Sequence, residues 1–337
     1  MTDELYSRQL ILPQIGSAGQ ARISATRIVI LGVGSLGTAS AEALARLGVG
    51  YLRLVDRDYV SESNLARSAL FTQKDVSESN PKAVGAATHL AEIGMGGTYE
   101  PQVSDINPQT VEALIKDMDL VIDGTDNFAV RYLINEACHA LGKTWIHGAG
   151  LGLNGAAMVI KPEGPCLRCL IPNVPEPGSY PTCASAGVLG LTTQMVANLQ
   201  VVEALKYILD IGKGSGSYVS LDILNHEIDA ITVEKDPECK TCSLEQYEFL
   251  GKPASTLATE LCGRDEFQVS ILGKHCIDLQ VAANKLRERG SVTVSPFLLS
   301  FTRENLRFKL FADGRAMIKG AATPEAALQI YSDYVGL

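Results

Sequence analysis

Four of the eight cysteines in this 337-residue chain form two Cys-x-x-Cys pairs, Cys166/Cys169 and Cys239/Cys242. Two residues between the thiols let both sulfurs reach one side of an ion, and two such pairs complete a tetrahedron of thiolates. The pattern predicts a structural zinc site that staples distant parts of the chain. With sulfur in all four positions, no open coordination site is left for catalysis. The competing reading is a redox Cys-x-x-Cys, which ordinarily comes as one motif near the start of a helix. Cys183 stands apart in PTCASAG. It reads either as a reactive thiol, if exposed, or as a small buried hydrophobe. Cys138, Cys262 and Cys276 lie in apolar surroundings and are expected in the core.

A second constellation is Gly32-x-Gly34-x-x-Gly37, after the apolar run RIVIL. Here Gly32 serves the tight turn, Gly34 admits phosphate to the backbone, and Gly37 lets the helix pack on the strand. Amide N–H groups at the helix start then face an anion. Asp56 ends the next strand, where a carboxylate hydrogen-bonds ribose and repels a 2′-phosphate, which disfavours NADP. Thr38-Ala39 after the last glycine exclude a Walker-type loop, which needs Lys then Ser or Thr. The fingerprint predicts a nucleotide without saying which one.

Further along, DRDYVSESNLARSALF is dense in polar groups. Arg67 and Lys82 can offset phosphate charge, one as a planar fork and the other as a point charge. Asp126, closing DLVIDGTD, can offer an oxygen to magnesium. Taken singly, each reads as a solvated charge or a cap. Together they can surround a triphosphate, so a nicotinamide and a triphosphate both stay open on these residues. The five histidines have no partner at metal-ligand spacing and read as structural, and no GxSxG or HExxH motif is present.

These residues need elements to hold them. RIVILG, SLGTASAEALARLG and YLRLVD make one strand–helix–strand unit. PKAVGAATHLAEIG and FAVRYLINEACHALG have helical periodicity, and YEPQVSDI, DLVIDGTD and TWIHGAG read as strands. The alternation predicts an α/β, Rossmann-like, doubly wound, mainly parallel sheet. After residue 150 the pattern changes. GAAMVIKPEG predicts an antiparallel C-terminal section, followed by a long proline-rich loop, the helix LTTQMVANLQVVEALKYILD and strand-like SYVSLDILNHEIDAITV. The remaining residues predict a small α+β module, with Asp313-Gly314 as a hairpin turn and a last helix starting at Thr323-Pro324. The expected division is 1–248 and 249–337.

Bulk properties favour a soluble protein. The chain is 46% hydrophobic, with formal net charge −9, pI near 5.2 and mean hydropathy +0.10. The acidity argues against nucleic acid as a partner. No apolar run is long enough to span a membrane, and MTDELYSRQ lacks a signal-peptide pattern. A cytoplasmic location is expected, where a disulfide framework is not.

As a set, YSRQL, GVGSLG, LVDRDYVSESNLAR, PKA, DGTDN, CLRC, TCASAGV and DPECKTC resemble the ThiF/MoeB family, over about residues 5 to 245. Members are bacterial relatives of ubiquitin-activating enzymes. The resemblance implies ATP, Mg2+ and Zn2+, and adenylation of the C-terminal Gly-Gly carboxylate of a ubiquitin-like sulfur carrier protein. It implies that Gly32, Gly34, Ser35 and Gly37 cradle the nucleotide. Asp56 resembles the ribose ligand, with Asp58 and Ser63 beside it. Asn64, Arg67 and Lys82 resemble phosphate contacts, and Thr125, Asp126 and Asn127 the magnesium-linked loop with its catalytic acid. Arg8 resembles an arginine inserted from the neighbouring subunit of a homodimer, and Cys183 a cysteine that can join the activated carrier through sulfur.

A ThiS-like carrier of the thiamine branch is preferred over a MoaD-like carrier of the molybdopterin branch, and a cysteine desulfurase is an expected partner downstream. The chain departs from the family at Ala66, often Gln, and at Ser35, often Gly. An NAD-dependent oxidoreductase and a non-catalytic nucleotide-binding scaffold are the alternatives.

Overall fold

The computed structural model describes residues 4–175, 180–212, 214–252, 257–261, 266–270 and 277–336. The chain divides into two compact units, Met1–Lys252 and Pro253–Leu337.

The first unit is built on eight strands: β1 (Arg27–Leu31), β2 (Tyr51–Val55), β3 (Thr98–Gln102), β4 (Leu120–Asp123), β5 (Thr144–Leu151), β6 (Asn154–Ile160), β7 (Ser217–Asp222) and β8 (Glu227–Thr232). Their order is β3-β2-β1-β4-β5-β6-β7-β8. The first five strands are parallel, and the last three add antiparallel. Helices cover both faces of the parallel part, so its inner strands β1 and β4 are apolar on both sides. Ile28 and Ile30 of β1 pack into one core with Leu44, Leu52 and Ile122. Val29 and Leu31, between them, pack into another with Val121, Ile134 and Trp145.

The α/β sheet with an antiparallel section is the architecture the sequence predicts. Alternation stops where β5 turns directly into β6 at Gly152, whose φ is +60°. The strand-like run 217–233 is a hairpin rather than one strand. The Asp222 carboxylate accepts from the N–H groups of Leu224 and Asn225 and folds the turn. Helix Gly16–Ala25, packed before β1 through Ile23, was not legible, because its glycines and serines weaken the helical signal.

The second unit holds β9 (Leu257–Leu261), β10 (Glu266–Ser270), β11 (Ser291–Val294), β12 (Leu298–Arg303), β13 (Leu306–Phe311) and β14 (Ala316–Lys319). They form an antiparallel sheet in the order β11-β12-β13-β14-β10-β9. Helices Leu279–Leu286 and Pro324–Tyr334 supply Leu286 and Tyr331 to a core with Phe267, Phe301, Phe308 and Ile318. The 313–314 turn forms as read, and the Tyr331 hydroxyl donates to the Gly314 carbonyl at 2.7 Å. Thr323 caps the last helix by accepting from Ala326 N–H. β9 and β10 were not anticipated.

Cys138 is fully buried, as expected, and burial pushes its thiol well above the usual range. Cys262 and Cys276 lie outside the described residues. Among the described residues, no helix is long and apolar enough to cross a membrane.

Candidate active site

In this strand order β1 connects to β2 on one side and has β4 on the other, so the sheet's switch point lies between β1 and β4. Crevices at the C-terminal ends of such strands are where open α/β sheets bind ligands. The loops after β1 and β4 touch there, and Gly124 N–H donates to Leu31 C=O at 2.8 Å. The glycines divide their work as read from the sequence. Gly32 turns with φ +90°. A Cβ on Gly37 would lie 1.9 Å from the Gly32 carbonyl, so that glycine is demanded by packing. A Cβ on Gly34 would meet no protein atom within 4 Å. Gly34 therefore opens a cradle at the start of the thirteen-residue helix Ser35–Leu47, which fits a phosphate.

Asp56 closes one side. Its Oδ2 accepts from Val33 N–H and its Oδ1 from Asp58 N–H, each at 2.8 Å. Each oxygen keeps a further lone pair for a ribose hydroxyl. Asp58 is buried and pairs with Lys82 Nζ at 2.8 Å. Arg67 follows the short helix Glu62–Leu65 and is partly exposed, its Nε 3.3 Å from the Ser63 carbonyl. Asp126 and Ser63 are exposed beside their respective loops.

Several side chains have partners that spacing did not reveal. The Asn64 Oδ1 accepts from Ser61 N–H at 2.9 Å and closes the start of its own helix. The Asn127 side chain caps helix Phe128–Ala140 by accepting from Val130 N–H. The Thr125 hydroxyl donates to Asp123 at 2.7 Å. The Ser35 hydroxyl turns inward to the Arg67 carbonyl. These side-chain oxygens each hold a protein partner in the loops that border the crevice. Arg8 is exposed on helix Ser7–Leu10. Cys183 opens the short helix Cys183–Ala186, and its side chain lies outside the described residues.

Sequence reasoning missed the network that holds the β4 loop. Asp123, fully buried, receives His147 Nδ1 at 2.8 Å and Arg131 Nε at 3.2 Å. Arg131 also donates to the Thr125 and Gly148 carbonyls, and Gln200 Nε2 donates to the Asp123 carbonyl. Burial alone would raise the Asp123 pKa, but Arg131 and His147 outweigh it and hold the carboxyl below its usual range. Burial dominates at His147 and lowers its pKa, favouring neutral imidazole. The available signal was a histidine inside the apolar strand TWIHGAG, facing an acid that ends a neighbouring strand.

The four cysteines expected to hold a metal come together. Cys166, Cys169, Cys239 and Cys242 bring their sulfurs within 4.8 Å of one another. Cys166–Cys239 and Cys169–Cys242 are 3.5 and 3.4 Å apart. A disulfide requires about 2.05 Å, whereas a zinc tetrahedron with bonds of about 2.3 Å has edges near 3.8 Å. The donor set and spacing fit zinc. The cluster is largely buried, and Asp236 N–H points at the Cys169 sulfur.

The ThiF family model matches residues 6–241. The sulfur carrier protein ThiS adenylyltransferase of Bacillus subtilis is 35% identical over 344 residues, covering 98% of this chain and 99% of that protein. The sulfur carrier protein adenylyltransferase of Thermus thermophilus is 38% identical over 247 residues, covering 71% and 90%. Among solved structures, that of E. coli MccB with ATP superposes with a TM-score of 0.62 at 19% identity, covering 71% of this chain and 74% of that one, a likeness of fold.

Proposed function

The chain belongs to the ThiF family, and on that premise we propose that it uses ATP to adenylate the C-terminal Gly-Gly carboxylate of a ubiquitin-like sulfur carrier protein. The carboxylate is already a nucleophile, so the protein's task is positioning and charge stabilisation. A carrier oxygen attacks the α-phosphorus, the bond to the β-phosphate oxygen breaks, and pyrophosphate leaves with its electron pair. The product is an acyl-adenylate.

The observation that carries this reading is the open cradle at Gly34, flanked by Asp56 and the β4 loop at the sheet's switch point. Asp56 takes the ribose, and the amides at the start of helix Ser35–Leu47 take phosphate. Arg67 and Lys82 offset charge developing on pyrophosphate. Lys82 reaches phosphate by exchanging part of its contact with Asp58. Asp126 holds magnesium, which supplies further charge neutralisation when bound. Arg8 completes the site of a second copy in a homodimer, its exposure leaving it able to reach across. The four cysteines hold structural zinc.

A ThiS-like carrier is favoured because the B. subtilis relative matches this chain through its second unit as well. Cys183 would act after adenylation: its thiolate attacks the acyl-adenylate carbonyl, the bond to the phosphate oxygen breaks, AMP leaves with the electron pair, and a thioester to the carrier remains for a sulfur donor such as a cysteine desulfurase to act on. The cytoplasm is the matching compartment. An NAD-dependent oxidoreductase draws only on the glycine fingerprint.

The test is carrier-dependent exchange of labelled pyrophosphate into ATP with zinc-loaded protein. Exchange with a ThiS-type carrier is expected. Absence of exchange with both ThiS-type and MoaD-type carriers overturns the proposal.

A further inference from the structure

Three segments that are remote in sequence meet at the hydroxyl of Ser35. Ser35 begins the helix after the glycine loop and is 5% exposed. Its Oγ lies 2.5 Å from the Arg67 carbonyl and 2.6 Å from Thr193 Oγ1. Thr193, also 5% exposed, sits in the first turn of helix Gly190–Leu209, with its Oγ1 2.9 Å from the Gly190 carbonyl. The three oxygen contacts share only two hydroxyl protons. Hydroxyl oxygens at 2.6 Å need a proton between them. Two arrangements satisfy this. In one, Thr193 donates to Ser35 and Ser35 to Arg67. In the other, Ser35 donates to Thr193 and Thr193 to Gly190. The Gly190 carbonyl is served by the helix's own i→i+4 bonding, so the first arrangement satisfies more groups.

A second tie lies alongside. Thr38 Oγ1 donates to the Gly34 carbonyl at 2.7 Å and accepts from Ala69 N–H at 3.2 Å. The backbone around Arg67 is thus fastened to the glycine-loop helix at two points. From the other side, a Cβ on Gly190 would lie 3.1 Å from Arg67 Cα, so the two backbones are in contact. Helix Gly190–Leu209 follows the short helix Cys183–Ala186, and the residues between them are held where Gly152 N–H donates to the Gly187 carbonyl and Leu189 N–H to the Gly152 carbonyl.

We propose that Ser35 and Thr193 are a positioning pair. Their hydroxyls fix the Arg67 backbone against the glycine loop and tie that placement to the start of helix Gly190–Leu209. Neither touches the reacting atoms. Their effect on adenylation passes through the Arg67 guanidinium, so the inference rests on the function proposed above. It also gives Ser35 a role distinct from the nucleotide contact expected of it. A glycine at this position would leave the Thr193 hydroxyl and Arg67 carbonyl unbridged.

The test uses the zinc-loaded full chain with Ser35→Ala, Thr193→Val, the double variant and Thr193→Ser. Carrier-dependent pyrophosphate exchange, MgATP dissociation constants and melting temperatures are measured for each. Ser35→Ala and Thr193→Val should each lower the exchange kcat about tenfold, within the range expected when a charge clamp is slightly misplaced. MgATP affinity should fall with it. The double variant should lose no more than the worse single, because both act through one bridge. Thr193→Ser keeps the hydroxyl and should restore exchange. Unchanged exchange in the single variants, losses that multiply in the double variant, or a Thr193→Ser variant as impaired as Thr193→Val each overturn the pair. Losses that merely track lowered melting temperature overturn it too. If the wild-type chain exchanges with neither carrier type, the adenylation reading falls. The pair is then judged by MgATP affinity in the same variants, and unchanged affinity overturns it.

Discussion

Lys82 and Asp58 are joined twice: the ammonium donates to the carboxylate at 2.8 Å, and the Lys82 N–H donates to the Asp58 carbonyl at 2.9 Å. Both residues are less than one-tenth exposed. The lysine proposed to meet phosphate is therefore stored as a buried ion pair at the start of helix Lys82–Ile93. Removing one member of such a pair leaves the other charge uncompensated. Asp58→Asn should cost about 3 kcal/mol, read as a lowered midpoint in urea. MgATP should restore more stability to this variant than to the wild type, because its phosphates replace the missing charge. Equal thermal shifts on MgATP addition would separate Lys82 from the nucleotide.

The glycine loop yields two opposite outcomes from one kind of substitution. Gly37→Ala should lower the melting temperature, because its Cβ would meet the Gly32 carbonyl at 1.9 Å. Gly34→Ala should leave the melting temperature of the free protein close to wild type, since a Cβ there meets no protein atom. It should weaken MgATP binding by about tenfold or more, equivalent to about 1.4 kcal/mol. Calorimetric titration checks this, and wild-type affinity in Gly34→Ala would show that the cradle does not receive phosphate.

Asp126→Ala and Arg67→Ala test the proposed charge-stabilising groups away from the core. Asp126 is exposed and Arg67 partly so, and surface changes usually move stability by no more than about 0.5 kcal/mol. Exchange should nevertheless fall on the order of a hundredfold in each, the scale seen when a preorganised electrostatic group is removed. Melting curves run beside the kinetics separate this from unfolding. Wild-type exchange in both variants would favour the non-catalytic scaffold.

Cys166→Ser should release zinc and lower the melting temperature by roughly 10 °C, corresponding to about 3 kcal/mol for a domain of this size. Metal analysis and calorimetry check it. Retention of both zinc and melting temperature would show that the cluster is not the staple proposed.

His89 supplies a pH signature. It meets Asp75 at 2.8 Å and Glu92 at 3.0 Å. Burial lowers its pKa, but the bonds to Asp75 and Glu92 outweigh burial and raise it overall. A raised histidine contributes fully below its unfolded value near 6.5 and loses that contribution as pH rises through its folded value. The Asp75 carboxyl is held low: burial acts against this, but Thr72, His89 and Asn80 prevail. Its contribution is therefore lost only as pH falls through that depressed value. The stability gap between wild type and His89→Gln should thus be wider at pH 6 than at pH 8. A gap that is constant or widens towards pH 8 contradicts the pair. Measuring the gap removes the opposite trend of His147, which is common to both proteins.

Local chemistry made much of this protein legible. The alternation of apolar strands and helices determined the parallel sheet, because each element's period is written in neighbouring residues. The glycine spacing determined the cradle, since turn geometry and close packing are local demands on particular positions. The two Cys-x-x-Cys pairs determined which four sulfurs cluster, because the bite of each pair is set by its spacing. Tertiary structure decided which polar groups face the crevice and which serve the scaffold. Asn64 and Asn127 turned out to cap helices, and Lys82 to rest on Asp58. Asp123 found His147 across adjacent strands, and Ser35 found Thr193, 158 residues away in sequence. Such pairings have no period and no fixed spacing. They arise only when the packed sheet and helices bring buried donors and acceptors to where they must satisfy one another.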